Sequence, residues 1–353
     1  MNFFAKHLID WYKYHGRNLP WRETRDPYTI WVSEIILQQT RISQGTAYFH
    51  RFIEQYPNVS KLASADEHDI LKVWQGLGYY SRARNMHAAA KQIMEQFDGK
   101  FPSTYKELLS LKGIGEYTAG AIASISYNLP YPAVDGNVLR VLSRVYAIEM
   151  PINSTKGKKL FSQLAKDLVP SESPATFNQA IMDFGAMVCT PNRPDCDTCP
   201  LNDLCQAYIN NKVQQFPVKE KKTRILDRYM HYLLIRNGDK VWLEKRGEQD
   251  IWKNMYQLPL IESYEELVPE KLLQSKEWDA IFKEAEIEIR SVSNEIIHLL
   301  SHRKIHAYFY EIYLQNGKVH YPANPVLLKD IFNFAVPKLI ENYLTEKIQT
   351  TQS

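Results

Sequence analysis

The chain has 353 residues, 44% of them hydrophobic, with a formal net charge of +3, so length and composition point to about two domains with real cores. No apolar run approaches the roughly 20 residues of a membrane span, and no membrane association is expected. The opening MNFFAKHLIDWYKYHG is too charged and aromatic for a secretory signal, which points to the cytoplasm. The charge is unevenly spread. Residues 226–353 hold 16 Lys/Arg and 19 Asp/Glu, whereas residues 1–225 hold 27 and 21, a basic excess suited to contacting phosphates.

In chain order, residues 1–25 give an amphipathic helix and then Trp21-Arg22, an aromatic beside a cation. Asp26-Pro27 reads as a cap and first turn of a second helix. Glu34 sits in the middle of that helix, sharing a face with Ile30, Leu37, Gln38 and Arg41. Most such glutamates are solvated, but apolar surroundings raise a carboxyl pKa, which suits a general acid. Ser64 to Glu67 has the form of a capping box opening a helix through Leu71 and Trp74, which ends at Gly76-Leu77-Gly78-Tyr79-Tyr80. Another helix is expected over Ser81–Phe97, so this half is all-α.

Leu108, Leu109 and Leu111 close a short helix before Gly113-Ile114-Gly115, and Glu116–Ser126 reads as the next helix. Two glycines around one aliphatic residue allow a tight turn that leaves the following helix's first N–H groups bare, an arrangement that binds phosphate. It is neither a dinucleotide fingerprint nor a P-loop, because the glycine spacing fails and no strand precedes it. After a Pro-punctuated loop, Asp135 is placed to cap a helix carrying Val138, Val141, Leu142 and Val145. Ser173-Pro174 starts a helix that bears Gln179 and delivers the chain to Cys189.

All four cysteines, Cys189, Cys196, Cys199 and Cys205, fall within seventeen residues, in the spacing C-x6-C-x2-C-x5-C. Disulfides do not persist in a reducing cytosol, so a metal centre is the reading. Most four-cysteine zinc sites use two close pairs, and here there is one.

A polar, basic stretch over 211–225 reads as a linker. The pattern then changes period. Tyr229–Arg236 and Val241–Arg246 alternate like strands across Asn237-Gly238, a hairpin turn signal. A helix around Lys271–Glu284, strands near Glu286–Leu300 and Ile305–Leu314, and a helix over Pro337–Lys347 complete an α+β segment.

Leu-Lys-Gly-Ile-Gly at 111–115, with Val-Asp-Gly-Asn-Val at 134–138, resembles the helix-hairpin-helix and catalytic Asp of the endonuclease III superfamily of DNA glycosylases. Ser33-Glu-Ile-Ile-Leu-Gln-Gln-Thr40 is similar to the Ser-Glu-x-Met-Leu-Gln-Gln-Thr signature of its MutY branch, the adenine DNA glycosylases. The cysteine spacing matches the compact [4Fe–4S] loop of the same superfamily. The resemblance covers nearly the whole chain. It implies a multidomain protein: an all-α helix-hairpin-helix glycosylase domain over 1–210 with its [4Fe–4S] loop at 189–205, the linker at 211–225, and an α+β Nudix-like domain over 226–350. The hydrolytic R-E-x-x-E-E core of the Nudix box is absent from 226–353, so that domain is expected to bind rather than hydrolyse.

The resemblance also implies roles. Glu34 is the catalytic acid, Asp135 an ionised carboxylate that stabilises the cationic sugar, and Tyr117 and Asn137 hold Asp135 and the water. Gly113, Ile114 and Gly115 hold a DNA phosphate, Gln39 contacts the base stack and Tyr79 wedges into it. Trp21, Arg22, Leu37, Ile42 and Gln179 line the pocket for the extruded adenine. Ser301 and His302, after Leu300 where the family has Phe, read 8-oxoguanine. Where lyases of the superfamily carry a Schiff-base lysine, this chain has Tyr117, which implies a monofunctional glycosylase acting as a monomer on duplex DNA with A:8-oxoG or A:G mispairs. A bifunctional endonuclease III-like glycosylase/lyase is the alternative.

Overall fold

The computed structural model describes residues 1–220, 225–248, 251–300 and 302–351. In chain order the helical part holds α1 (Phe3–His15), α2 (Pro27–Leu37), α3 (Ile42–Gln55), α4 (Val59–Ser64), α5 (Glu67–Trp74), α6 (Ser81–Gln96), α7 (Tyr105–Ser110), α8 (Glu116–Tyr127), α9 (Gly136–Val145), α10 (Thr155–Leu168), α11 (Pro174–Met187) and α12 (Gln206–Ile209). The rest alternates strands β1 (Leu226–Asn237), β2 (Lys240–Lys245), β3 (Tyr256–Gln257) and β4 (Leu260–Ser263) with α13 (Pro269–Leu272) and α14 (Lys276–Phe282). It ends with β5 (Glu284–Val292), β6 (Ile296–Leu299), β7 (Arg303–Lys318), β8 (Asn324–Leu327) and α15 (Lys338–Thr351). No helix among the described residues is long and apolar enough to cross a membrane.

The chain divides into two compact units. The first is Met1–Ala65 with Arg84–Lys221, and the second is Asp66–Ala83 with Lys222–Ser353. In the first unit, local chemistry starts the helices as the sequence predicts. Asp26 accepts from the Thr29 N–H with Pro27 in the first turn, and Asp135 accepts from the N–H groups of Asn137 and Val138. Phe4 and Leu8 of α1, Val141 and Leu142 of α9, Phe161 of α10 and Phe177, Ile181 and Phe184 of α11 are buried together in one core. Cutting one of these phenylalanines to alanine would destabilise by about 3–5 kcal/mol. The core fixes α9 and α11 side by side, which places the end of α11 and the start of α9 against the same cavity. Gly120 matters for the same reason. A Cβ there would meet the Pro132 carbonyl oxygen at 2.0 Å, so only glycine lets the loop leading to Asp135 lie against α8.

In the second unit a mixed sheet runs in the order β3-β2-β1-β7-β5, with β4 on β1, β6 on β7 and β8 on β2. The central pair, β1 and β7, is parallel, with Leu233 opposite Tyr310 and Ile235 opposite Ile312. Because both faces are covered, residues 232–235 of β1 form a buried apolar run where alternation was expected. Leu233 and Ile235 meet Trp278 and Phe282 of α14, while Tyr232 stacks on Phe309, which stacks on Tyr343 of α15 at 4.0 Å.

Several expectations are corrected. Residues 66–83 cluster with the second unit rather than with the remainder of 1–210. Their hydrogen bonds explain this: His68 Nε2 pairs with the Asn333 carbonyl at 3.0 Å, Gln75 donates to Glu341 at 2.7 Å, and Asn254 donates to Glu67 at 2.7 Å. There is no capping box at Ser64. Ser64 ends α4 and its hydroxyl donates to the Lys61 carbonyl, so Asp66 becomes the N-cap of α5 without a side-chain bond. The helix expected over Lys271–Glu284 breaks into α13 and α14, where Ser275 caps the second piece by accepting from the Trp278 N–H. The long strand expected near Glu286–Leu300 is likewise two strands.

Candidate active site

Glu34 occupies the middle of α2 and is 7% exposed. Tyr117, one residue into α8, donates its hydroxyl to Glu34 Oε2 at 2.5 Å. Burial pushes the Glu34 carboxyl up to about 7. The Tyr117 hydrogen bond and the Arg22 charge pull it down, and the Asp135 charge pushes it further up. The apolar α2 face around Glu34 thus makes a carboxyl that carries its proton near neutral pH. Tyr117 was expected to hold Asp135; it holds Glu34 instead.

Asp135 sits where the loop enters α9. Its Oδ1 accepts from the N–H groups of Asn137 and Val138, each at 2.8 Å, and its Oδ2 accepts from Asn137 Nδ2 at 2.7 Å. Asn137 therefore holds Asp135 by its backbone and its side chain. Burial raises the Asp135 carboxyl above its usual value despite these bonds. Asn137 is held in turn by Arg140, which donates to Asn137 Oδ1 at 2.8 Å and to the Gly185 and Cys189 carbonyls.

Glu34, Tyr117, Asp135 and Asn137 open onto one cavity of about 1000 Å³, room for a nucleoside. Trp21, Arg22, Leu37, Gln39, Ile42 and Gln179 line it as well, so residues up to 158 positions apart in sequence share a wall. Trp21 is buried edge-on against Phe49. The Gln179 side-chain oxygen accepts from the Tyr12 hydroxyl at 2.9 Å, which fixes the amide rather than leaving it on the surface. Gln39 adopts φ 57°, the left-handed backbone of a short turn between α2 and α3.

Sequence reasoning missed Arg17, Asp183 and Met182. Arg17 and Met182 line the cavity, and Asp183 lies behind it, wholly buried and bonded by both Arg17 and Arg22. A signal existed: Asp183 is the one charged residue in α11, which is otherwise mostly apolar.

Gly113, Ile114 and Gly115 do not line the cavity. They form the turn from α7 into α8, with Gly113 at φ 79° and Ile114 buried as its anchor. Gly115 is the N-cap of α8 with no side chain to satisfy the helix's first N–H groups, which leaves them for a ligand. Tyr79 and His302 belong to the second unit. Tyr79 has φ 48° and is 48% exposed, with the Arg82 guanidinium over its ring at 5.6 Å. His302 is exposed between β6 and β7, where Leu300 donates its N–H to the Arg303 carbonyl at 2.8 Å. Ser301 lies outside the described residues.

Cys189, Cys196, Cys199 and Cys205 line one small cavity behind α9 and α11. Arg144 donates to Cys189 Sγ at 3.4 Å and to the Thr190 carbonyl at 2.7 Å, and the Leu201 N–H donates to Cys199 Sγ at 3.4 Å. The chemistry of four thiols, with a guanidinium and a backbone N–H directed at sulfur, suits a metal–sulfur group, but among the described residues no three His, Cys, Asp or Glu side chains are gathered closely enough to hold a metal ion.

A family model described as "HhH-GPD superfamily base excision DNA repair protein" matches residues 32–170, and one described as "NUDIX domain" matches residues 231–346. A protein named adenine DNA glycosylase from Buchnera aphidicola subsp. Schizaphis graminum is 40% identical over 257 residues, 72% of this chain and 74% of that one. Its namesake from Buchnera aphidicola subsp. Acyrthosiphon pisum is 36% identical over 306 residues, 86% of this chain and 84% of that one. Among solved structures, a thermostable thymine-DNA glycosylase matches with a TM-score of 0.55 and 29% identity, over 59% of this chain and 95% of that one.

Proposed function

We propose how this chain, which belongs to the family of the adenine DNA glycosylases, excises adenine: Glu34 acts as general acid and Asp135 as the carboxylate facing the sugar. The observation that carries this reading is the buried Glu34 carboxyl, protonated near neutral pH, beside Asp135 in a nucleoside-sized cavity. The target nucleotide leaves the duplex to enter that cavity. Glu34 gives its proton to adenine N7. The C1′–N9 bond then breaks with its electron pair leaving on the base, and the ionised Asp135 stabilises the cationic sugar until water adds at C1′ and gives its proton to the Glu34 carboxylate. Tyr117 holds Glu34, Asn137 holds Asp135, and Trp21, Arg22, Leu37, Ile42 and Gln179 surround the base. The position that would bear a lyase amine is Tyr117, so the enzyme is monofunctional and leaves an abasic site.

Gly113 to Gly115 grip a phosphate, Gln39 and Tyr79 engage the base stack, and the chain works as a monomer on duplex DNA. Cys189, Cys196, Cys199 and Cys205 hold a [4Fe–4S] cluster through four thiolates; when bound, it supplies a covalent clamp across the segment that follows α11. Adenine is a normal base, so safe excision requires inspection of its partner. Ser301, and His302 between β6 and β7, perform it, reading the N7–H and O8 that distinguish 8-oxoguanine from guanine. Single-turnover adenine release from duplexes carrying A:8-oxoG, A:G and A:T tests this. Release from the first two and not from A:T is expected, with His302→Ala narrowing the A:8-oxoG preference over A:G. Equal release from all three duplexes would overturn opposite-base reading.

A further inference from the structure

Asp183 is wholly buried on α11, yet it is a carboxylate that no step above uses. Its Oδ1 accepts from Arg17 Nε at 2.9 Å, from a terminal Arg17 nitrogen, and from Arg22 Nη2 at 2.8 Å. Its Oδ2 accepts from the Arg17 backbone N–H at 2.9 Å and from Arg22 Nη1 at 2.7 Å. Both guanidiniums thus converge on one acid, and both arginines line the cavity that holds Glu34. Arg22 also lies over the Tyr12 ring at 5.6 Å, and Tyr12 bonds Gln179 one turn before Asp183. Burial alone would push the Asp183 carboxyl up, but donation from Arg22 and Arg17 holds it below its ordinary value, so the group stays charged.

We infer that Asp183 is a positioning residue of the reaction: it anchors Arg17 and Arg22 in the cavity wall and offsets their charge, so that Glu34 can act as an acid. The inference rests on the assignment of Glu34 as that acid. The charged and titratable groups facing Glu34 are Tyr117 from α8, Asp135 at the start of α9 and Arg22 from the 20–22 segment. Those facing Asp183 are Arg17, Arg22 and Tyr12. Arg22 is the group shared by both sets. Its positive charge works against a proton on Glu34, and Asp183 is the counter-charge that limits the effect. Without Asp183, two guanidiniums would remain in the wall with no buried anion between them, and the proton on Glu34 would be lost at lower pH.

The test is the pH dependence of single-turnover adenine release by the full chain, for the parent, Asp183→Asn, Arg22→Gln and Glu34→Gln. Asparagine keeps the shape and one acceptor while removing the charge. Asp183→Asn should move the falling alkaline limb down by about one pH unit. It should therefore be about tenfold slower than the parent at pH 8, shrinking to about twofold at pH 6. Asp183→Glu should bring the limb back toward the parent. A uniformly slower Asp183→Asn with an unmoved limb would make Asp183 a structural tie and overturn the inference. Should Asp183→Asn fail to fold, Arg22→Gln decides: the limb moves upward, or it stays and the inference falls. A parent with no alkaline limb, or a fully active Glu34→Gln, overturns the acid assignment and this inference with it.

Discussion

Holding a proton on Glu34 has a stability consequence that separates the acid assignment from a merely structural role. An ordinary glutamate at pH 7.5 is protonated about one time in a thousand, whereas a carboxyl at about 7 is protonated about one time in four. The unfolded chain releases this proton near 4.5 and the folded protein near 7. Between those values the folded state binds the proton and the unfolded state does not, so stability falls as pH rises, and the loss is complete above about 7. At about 1.4 kcal/mol per pH unit, the gap corresponds to about 3 kcal/mol. Glu34→Gln removes the buried charge and keeps an oxygen to accept from Tyr117. It should match the parent in stability at pH 4.5 and exceed it by about 3 kcal/mol at pH 8, while base release falls by roughly 10²–10⁴. Urea unfolding followed by tryptophan fluorescence at a series of pH values, beside single-turnover rates, measures both. A stability difference that does not grow with pH, or a parent more stable at pH 8, would refute the reasoning.

Tyr117→Phe deletes the hydrogen bond that favours the ionised Glu34, so the alkaline limb of the pH–rate profile should move upward. A downward shift would contradict that bond's role. Asp135→Asn should abolish base release with the fold intact, and Asp135→Ala should also lose about 1 kcal/mol of helix capping, seen as a lower unfolding midpoint. Purified protein should carry about four irons and four sulfides per chain, and Cys199→Ser should lower both along with thermal stability. Stoichiometric zinc in a colourless preparation would contradict the cluster.

The sequence made most of the cavity legible because its residues sit in local motifs: the α2 signature, the glycine turn into α8 and the Asp135 cap. It did not reveal which side chain would meet which. Tyr117 and Glu34 are 83 positions apart, and only the packing of α2 on α8 makes them partners. Asp183 left only a weak signal for a similar reason, since a charge on a helix is ordinarily solvated and its burial depends on arginines some 160 residues earlier. Segment 66–83 looked like one more helix of an all-α domain. Its hydrogen bonds to residues after 250 are non-local and leave no periodic trace. The split of the 271–284 helix was readable in Ser275, a capping residue within an apolar pattern. In β1 the alternation read from the sequence gives way to an unbroken buried apolar run over residues 232–235, because both faces of the strand are covered.

One reaction tests the central claim most directly: a single turnover on a duplex bearing one A:8-oxoG pair, with free adenine quantified and the adenine-containing strand sized before and after alkali. One adenine should be released per abasic site formed, the strand should stay full length until alkali is added, and borohydride should trap little covalent complex. Absence of free adenine, or a strand cleaved before alkali with the enzyme trapped on it, would contradict that claim.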